Sequence, residues 1–362
     1  MSTKPLPPFT CNHSSNLPEL LQQLNITLAI TTYQAGKVIF ISATGHDQLI
    51  QLPRNFNKAM GIAFHSGKMA IAVQDEVIVL VNSPELAKTY PPKPDTYDAL
   101  FLPRATYYTG HVDLHDLDWA GNELWAVNTK FSCLSRIDSN FSFTPVWKPY
   151  FISDLVPEDR CHLNGMAMEE GTPRYVTALG KTDHLEGWRP DKSSGGIIMD
   201  VKKNEIIASG LAMPHSPRIY NGELYCLLSA LGQLIKVDPE NGTTTVVHQF
   251  DSYVRGMARK DDYLFVGISK IRRKSSAFGD LAIAEKSTKC GIEVLHFPSM
   301  SKVAQLQYQT SVEELYDVKI LEDMIRPNVL STMKDDFRKA LVIPEGRTFW
   351  AKENPLDKND KN

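Results

Sequence analysis

The apolar positions of this chain fall in short runs bounded by turn formers. Five of those runs open on one phrase: a hinge residue, a small or acidic residue, then an apolar stretch. The copies are Met60-Gly61-Ile62-Ala63, His115-Asp116-Leu117-Asp118, Asn164-Gly165-Met166-Ala167, His215-Ser216-Pro217-Arg218 and Arg255-Gly256-Met257-Ala258, with a weaker sixth at Tyr316-Asp317-Val318-Lys319. Self-similarity at a period of about 40–60 residues predicts a propeller or an array. A second strand follows in register, because Met69, Leu124, Leu224 and Leu264 each lie nine residues after the first residue of their phrase. The Asn164 copy needs extra residues before its run at Tyr175–Leu179. Turn formers separate the two strands: Ser66-Gly67, Gly121-Asn122, Gly171-Thr172-Pro173, Asn221-Gly222 and Asp261-Asp262. Third strands are clearest at Ser135–Asp138 and Leu234–Asp238.

The two ends of the pattern complement each other. Three strand-like runs, Leu28–Tyr33, Lys37–Ser42 and Gln48–Leu52, have no opening phrase before them, and the last phrase, Tyr316–Leu321, has no three strands after it. Joined, they make one blade with the C-terminal strand innermost, which removes exposed sheet edges. The expected fold is therefore all-β, a six-bladed β-propeller over residues 25–330; a blade hidden in a long insertion would make it seven. Residues 1–24 read as a polar, proline-rich arm with a short amphipathic helix at Leu17–Leu24. Residues 331–362 read as a short helix near Ser331–Ala340 and a charged, disordered tail.

Composition narrows the classes of partner. A net charge of −3 over 362 residues gives no global field for nucleic acid or membrane, and basic and aromatic residues are not interleaved. No apolar run is long enough to span a bilayer and no secretory pattern opens the chain, so a cytoplasmic protein is expected. One basic run, Lys270-Ile271-Arg272-Arg273-Lys274, lies in an insertion over 269–289. The five cysteines are widely spaced with no CxxC, which fits buried thiols and excludes a zinc ribbon.

If each phrase opens an innermost strand, its first residue faces a common channel. His111, His115, His162 and His215 lie in or just before such phrases. His162 precedes Asn164 by two residues and so shares its strand parity. Neutral imidazole is a good ligand for transition metals. His115, His162 and His215, with Asn164 in support, are the candidate ligands of a divalent metal (zinc, iron or manganese); the other reading is a polar, water-filled channel. Calcium would need oxygen donors, here Asp113, Asp116, Asn164 and Asp317. Arg255 offers planar donors to an anionic group, or a salt bridge to Asp317 or Glu314. Arg104 and Tyr107 read as a face loop lining a binding mouth. The loop after Tyr175–Leu179 carries Lys181, Asp183 and Trp188, a donor, an acceptor and an apolar platform suited to a small polar ligand. Cys161 beside His162 is a poor dyad, since strand neighbours face opposite sides. The expected function is a metal-dependent enzyme acting on a small polar or anionic molecule at the axis. The alternative is a non-catalytic module that binds a peptide, glycan or protein.

Several runs resemble a bacterial family of uncharacterised, propeller-like domains sometimes found with tetratricopeptide repeats. They are Thr32–Lys37, Tyr108–His115, Asn128–Cys133, Pro157–Gly165, Thr177–Gly180, Gly187–Arg189 and Met213–Arg218. The resemblance covers about residues 9–330. It implies a propeller and brings no catalytic residue. The phrase Asn164-Gly165-Met166-Ala167 also looks like inner strands of gluconolactonase and strictosidine-synthase-like propellers. In gluconolactonases, carboxylate and asparagine side chains hold an axial divalent metal. Only Asn164 matches that pattern; His115 and His215 depart from it, so lactonase activity does not carry over.

Overall fold

The computed structural model describes residues 5–271 and 278–352. Six antiparallel sheets form the blades of a propeller, and their innermost strands are the phrases read from the sequence. Blade 1 runs Asp317–Glu322, Ile26–Thr32, Lys37–Ala43, Leu49–Asn55 from axis to rim. Blade 2 runs Ile62–His65, Lys68–Ala72, Glu76–Asn82, Ala99–Tyr108, and blade 3 runs Leu114–Ala120, Glu123–Asn128, Cys133–Ile137, Thr144–Trp147. Blade 4 holds Leu163–Glu169, Thr172–Ala178, Gly196–Asp200 and Glu205–Leu211; blade 5 holds Pro214–Tyr220, Glu223–Leu228, Gln233–Val237 and Thr244–Gln249. Blade 6 holds Tyr253–Lys260, Tyr263–Ser269, Gly291–His296 and Ser301–Tyr308. Each innermost strand packs against the next, and Asp317–Glu322 packs against Ile62–His65, so the ring closes through the mixed N- and C-terminal blade.

The expectations for the termini need correction. The arm is partly built into the ring: Cys11–His13 pairs with Ser301–Tyr308 as a fifth strand of blade 6. The helix forms over Leu17–Gln23 and buries Leu17, Leu20 and Leu21 against blades 1 and 6, the one-face spacing of an amphipathic helix. Pro327–Val329 adds to blade 2 in parallel with Ala99–Phe101. The helix expected at Ser331–Ala340 is only a 3₁₀ turn at Asp335–Lys339, followed by a hairpin of Ala340–Ile343 and Arg347–Trp350. Glu345 and Gly346 both take positive φ, 67° and 70°, the geometry of a tight hairpin turn. The tail from residue 353, and Arg272 to Lys274 of the basic run, lie outside the described residues.

The blades hold together by apolar packing between faces. Phe40, Phe101, Phe265 and Tyr308 are fully buried there, each such side chain contributing about 1.5–3 kcal/mol. A second device repeats near the axis. A buried hydroxyl at the end of a blade's second strand donates to the backbone carbonyl that opens the next blade. These pairs are Thr31 Oγ1 to Met60 O (2.7 Å), Thr129 Oγ1 to Leu163 O (2.6 Å), Ser229 Oγ to Val254 O (2.6 Å) and Ser269 Oγ to Leu315 O (3.3 Å).

The innermost strands alternate in kind. Blades 2, 4 and 6 read Gly-apolar-Ala after the hinge residue; blades 3, 5 and 1 read polar-apolar-charged, with Asp118, Arg218 and Lys319 last. The glycines sit where neighbouring inner strands touch. A Cβ on Gly61 would come within 2.9 Å of Asp116 Cα, one on Gly165 within 3.1 Å of Ser216 N, and one on Gly256 within 2.8 Å of Asp317 Cα. Three small-residue strands thus let three polar strands lean into the axis.

Candidate functional site

Strand direction places the first residue of every innermost strand at one end of the ring. The connections from outermost to next innermost strand emerge there, as do those from second to third strand; for blade 4 these are 148–162 and 179–195. The inner strands of blades 3, 4, 5 and 6 carry β-bulges at the hinge residue or the one after it. A bulge re-aims side chains, so two successive residues of one strand line the same space. His115 and Asp116, and His215 and Ser216, do so; Tyr316 and Asp317 line the space without a bulge, and Asn164, Arg218 and Arg255 line it too. The cavity they enclose is about 10 Å³, room for a single water-sized group.

The upper layer of this space is the mouth. His115 Nδ1 donates to Asp113 O at 3.0 Å, and His215 Nδ1 donates to Met213 O at 3.0 Å and faces Ser229 Oγ at 2.9 Å. Both carbonyls belong to residues with left-handed backbone, φ 52° and 54°, two positions before the histidine. A carbonyl only accepts, so each Nδ1 carries the proton and each Nε2 is an acceptor with no hydrogen-bond partner among the described residues. Burial, with the nearby charge of Arg255, holds both imidazoles well below the ordinary histidine pKa. They are neutral. Arg255 stacks on Tyr316 with its guanidinium carbon 3.5 Å from the ring centroid. Burial opposes its charge, but Tyr316, Tyr253 and Glu314 outweigh that and hold its pKa above the ordinary arginine value. Among the described residues no carboxylate lies within 4 Å of that guanidinium, so the salt bridges weighed for it to Asp317 and Glu314 do not form. Asn164 accepts from Thr177 Oγ1 at 2.7 Å, while its Nδ2 and the Tyr316 hydroxyl are buried with no partner among the described residues.

Beneath the mouth lies a plug of opposed charges. Arg218 Nη1 donates to Asp116 Oδ2 at 3.1 Å and to Met166 O at 2.9 Å, and its Nη2 stands 3.9 Å from Asp317 Oδ1. Lys319 Nζ lies 3.9 Å from Asp116 and 3.6 Å from Asp317. Burial works to raise the Asp116 pKa, but Arg218 and Lys319 overcome it and hold the carboxyl below its ordinary range. At Asp317 burial wins, and with Asp116 alongside it leaves that carboxyl raised.

The structure sorts the residues expected at a site. His115, His215, Asn164 and Arg255 meet at the cavity; His162 stands above it, its ring 4.9 Å from that of His115. Among the described residues no three His, Cys, Asp or Glu side chains gather at metal-ligand spacing. Two neutral imidazoles beside an unpaired guanidinium and two spare donors suit an anion better than a metal cation. Trp188 is a buried wall rather than an open platform: its ring lies 4.3 Å from that of His162, tilted by 40°, and its Nε1 donates to Asp159 Oδ2 at 3.2 Å. Asp183 is engaged by Arg160 Nη1 at 2.7 Å and by Ser153 N at 3.1 Å, tying two loops of this face together. Lys181 lies over Tyr150, 5.5 Å from its centroid. Arg104 and Tyr107 are not on a loop; they sit in the outer strand Ala99–Tyr108 of blade 2, away from the cavity. Sequence reasoning placed Tyr316 on the channel through the weaker sixth phrase and weighed Asp116 and Asp317 only as calcium donors; it passed over Asp159 and the ion pairing of the plug. The alternation of Gly-apolar-Ala with polar-apolar-charged strands was the available signal for the plug.

Fold and pocket together define a class: a six-bladed β-propeller whose axis carries a polar, cation-bearing mouth above an ion-paired plug. Residues 15–330 match the family described as Domain of unknown function (DUF4915), and the chain belongs to that family. No curated protein matches. Among solved structures, the chain is similar to one in the crystal structure of the nidogen/laminin complex. Identity is 9%, the TM-score is 0.49, and the match covers 82% of this chain and 99% of that one. It is also similar to the Pan2 WD40 domain of Neurospora crassa, at 11% identity and TM-score 0.39, over 68% of this chain and 64% of that one. Such distant likenesses carry no function to this chain, and the fold rests on the strand pairing itself.

Proposed function

We propose that the axial mouth binds a small organic acid, or the acidic end of a larger ligand. Arg255 pairs the carboxylate, Asn164 Nδ2 and the Tyr316 hydroxyl donate to it, and the free Nε2 atoms of His115 and His215 accept from a hydroxyl or amine on the same ligand. The observation that carries this reading is the half-buried guanidinium of Arg255, with no carboxylate within 4 Å among the described residues. A charge partly withdrawn from water with no carboxylate in contact is costly, and a site that receives an anion accounts for its place. The small cavity admits the head of the ligand, with the remainder in the loop-lined mouth above. Calorimetric titration with glycolate, which has both a carboxylate and a hydroxyl, tests the reading. Wild-type protein binds it, and Arg255→Met weakens it at least about tenfold, the loss of one charge-assisted contact worth about 1.4 kcal/mol or more. Equal affinity in both proteins overturns the reading.

One observation favours a second reading, an axial metal that polarises a carbonyl or activates water. All three mouth histidines give Nδ1 to a backbone carbonyl or a carboxylate, the arrangement that prepares Nε2 for a metal. Ligation would require His162, His115 and His215 to draw closer. Elemental analysis of freshly purified protein tests it: stoichiometric metal, lost in a His115→Ala/His215→Ala variant, would support it, and metal-free active protein would end it.

A further inference from the structure

The face that holds the mouth carries a second hollow, over blade 1. Two connections emerge there: 33–36, between the second and third strands, and 56–61, which leads from the outer strand to blade 2. With Met333 of the C-terminal segment they border a cleft of about 430 Å³, the size of a small-ligand site. None of its lining residues lines the axial cavity. Its charge is one-sided: Lys37 and Lys58 line it, and no Asp or Glu does. Lys37 Nζ donates to Asn55 Oδ1, and Lys58 Nζ stands over the Tyr33 ring, 5.6 Å from its centroid. Among the described residues neither ammonium has a carboxylate within 4 Å. Glu314 accepts from the Gln34 backbone N–H at 3.2 Å but does not line the cleft.

The walls are fixed before any ligand arrives. The Phe56 N–H donates to Gly36 O at 3.0 Å, which ties the two connections together. Gly36 and Lys58 take left-handed backbone, φ 60° and 49°, and a non-glycine residue holds that conformation where its surroundings impose it. Asn57 Nδ2 donates to Gln74 Oε1 at 3.0 Å, and Ser331 Oγ donates to Asn55 O. Tyr33 stacks on Tyr316, with ring centroids 6.2 Å apart and planes 27° apart, so the wall of the cleft is braced against the axis. Cations held in place in this way lose little freedom when an anion binds.

We propose that this cleft binds a small phosphomonoester: a phosphoryl group on a compact polar body such as a sugar. Two ammonium groups are point charges, which suit a phosphoryl group carrying about −1.5 to −2 at neutral pH, whereas a carboxylate is better matched by a planar fork such as that of Arg255. Tyr33 offers a ring face to the body of the ligand, and the exposed amides of Gln34 and Asn57 border the same space. This site goes beyond the axial one. It takes a different anion through different residues, and it holds whether or not the mouth binds an organic acid.

Calorimetric titration of the full chain with glucose 6-phosphate tests the proposal, with glucose as the control for the body alone. Wild-type protein binds the ester at least about tenfold more tightly than glucose. Lys37→Gln/Lys58→Gln keeps amide donors but removes both charges, and it weakens the ester at least about tenfold. Lys37→Arg/Lys58→Arg keeps the charges and the binding, and Arg255→Met binds the ester as wild type does. No binding to wild type, glucose bound as tightly as the ester, equal affinity in the glutamine pair, or equal loss in the arginine and glutamine pairs overturns the proposal. Loss in Arg255→Met with none in the glutamine pair also overturns it, since the phosphoryl group then sits at the axis. If glycolate fails to bind while glucose 6-phosphate still follows the lysines, the cleft stands and the organic-acid reading falls.

Discussion

Two layers share one axis and treat charge in opposite ways. In the plug, Asp116 and Asp317 face Arg218 and Lys319, two negative groups against two positive. In the mouth a few ångströms above, Arg255 has an aromatic ring for a neighbour, and two buried donors go unused. The same strands supply both layers: Arg218 lies three residues after His215, and Lys319 three after Tyr316. Burial therefore does not distinguish them, nor do hydrogen bonds alone, since Asp317 Oδ2 in the plug is also buried with no hydrogen-bond partner among the described residues; opposed charge does. A buried layer whose charges are opposed serves the fold.

Parallel substitutions break or sharpen that contrast. Arg218→Met leaves two buried carboxylates with less counter-charge and is expected to lower stability by about 3–5 kcal/mol in denaturant unfolding. A loss below about 1 kcal/mol would mean that the plug is not a structural unit. Next in size is a pH effect from the mouth. His115 and His215 have depressed folded pKa values, so below the unfolded value of about 6.5 the unfolded chain binds protons that the folded chain refuses. Stability therefore falls as pH drops through and below about 6.5, by up to about 1.4 kcal/mol per pH unit for each histidine. Unfolding curves of a His115→Gln/His215→Gln variant should lose most of that slope; an unchanged slope places its source elsewhere. Ser229→Ala removes the strut to Val254 O and a contact of His215 Nδ1, with an expected cost of about 1–2 kcal/mol. Smallest is Arg255→Met, which changes stability by less than about 1–2 kcal/mol, since it exchanges a stacked but unpaired cation for an apolar side chain. If Arg255→Met costs as much as Arg218→Met, the two layers are one network and the contrast fails.

The fold was legible because a propeller repeats its instructions. Register survived in the fixed separation of paired positions: Ala63 pairs with Ala70, Asp118 with Trp125, Arg218 with Tyr225 and Ala258 with Phe265. Closure was legible because each end lacked what the other held. The cavity residues His115, Asn164, His215 and Arg255 were legible for the same reason, as they share one repeat position. Arg104 was read on a face loop but lies in an outer strand, which Pro103 beside it does not break. The outer strand of a blade tolerates proline at a bulge, and the register shifts there, with Val79 opposite Ala105 and Leu80 opposite Pro103. The bulges at the axis leave no mark in the sequence, so strict alternation hid the fact that Asp116 lines the same space as His115. Asp159 was invisible as a partner because its bond to His162 depends on two left-handed turns. Trp188 was read from its loop, but its surroundings, not its position, decide that it is a wall.

The most direct measurement is a crystal structure of the protein with glycolate bound. The account predicts the carboxylate within about 2.7–2.9 Å of the Arg255 guanidinium, with the hydroxyl facing a histidine Nε2 at the mouth. A carboxylate bound elsewhere, with Arg255 still stacked on Tyr316 and the mouth filled by ordered water or a histidine-bound metal, would contradict it.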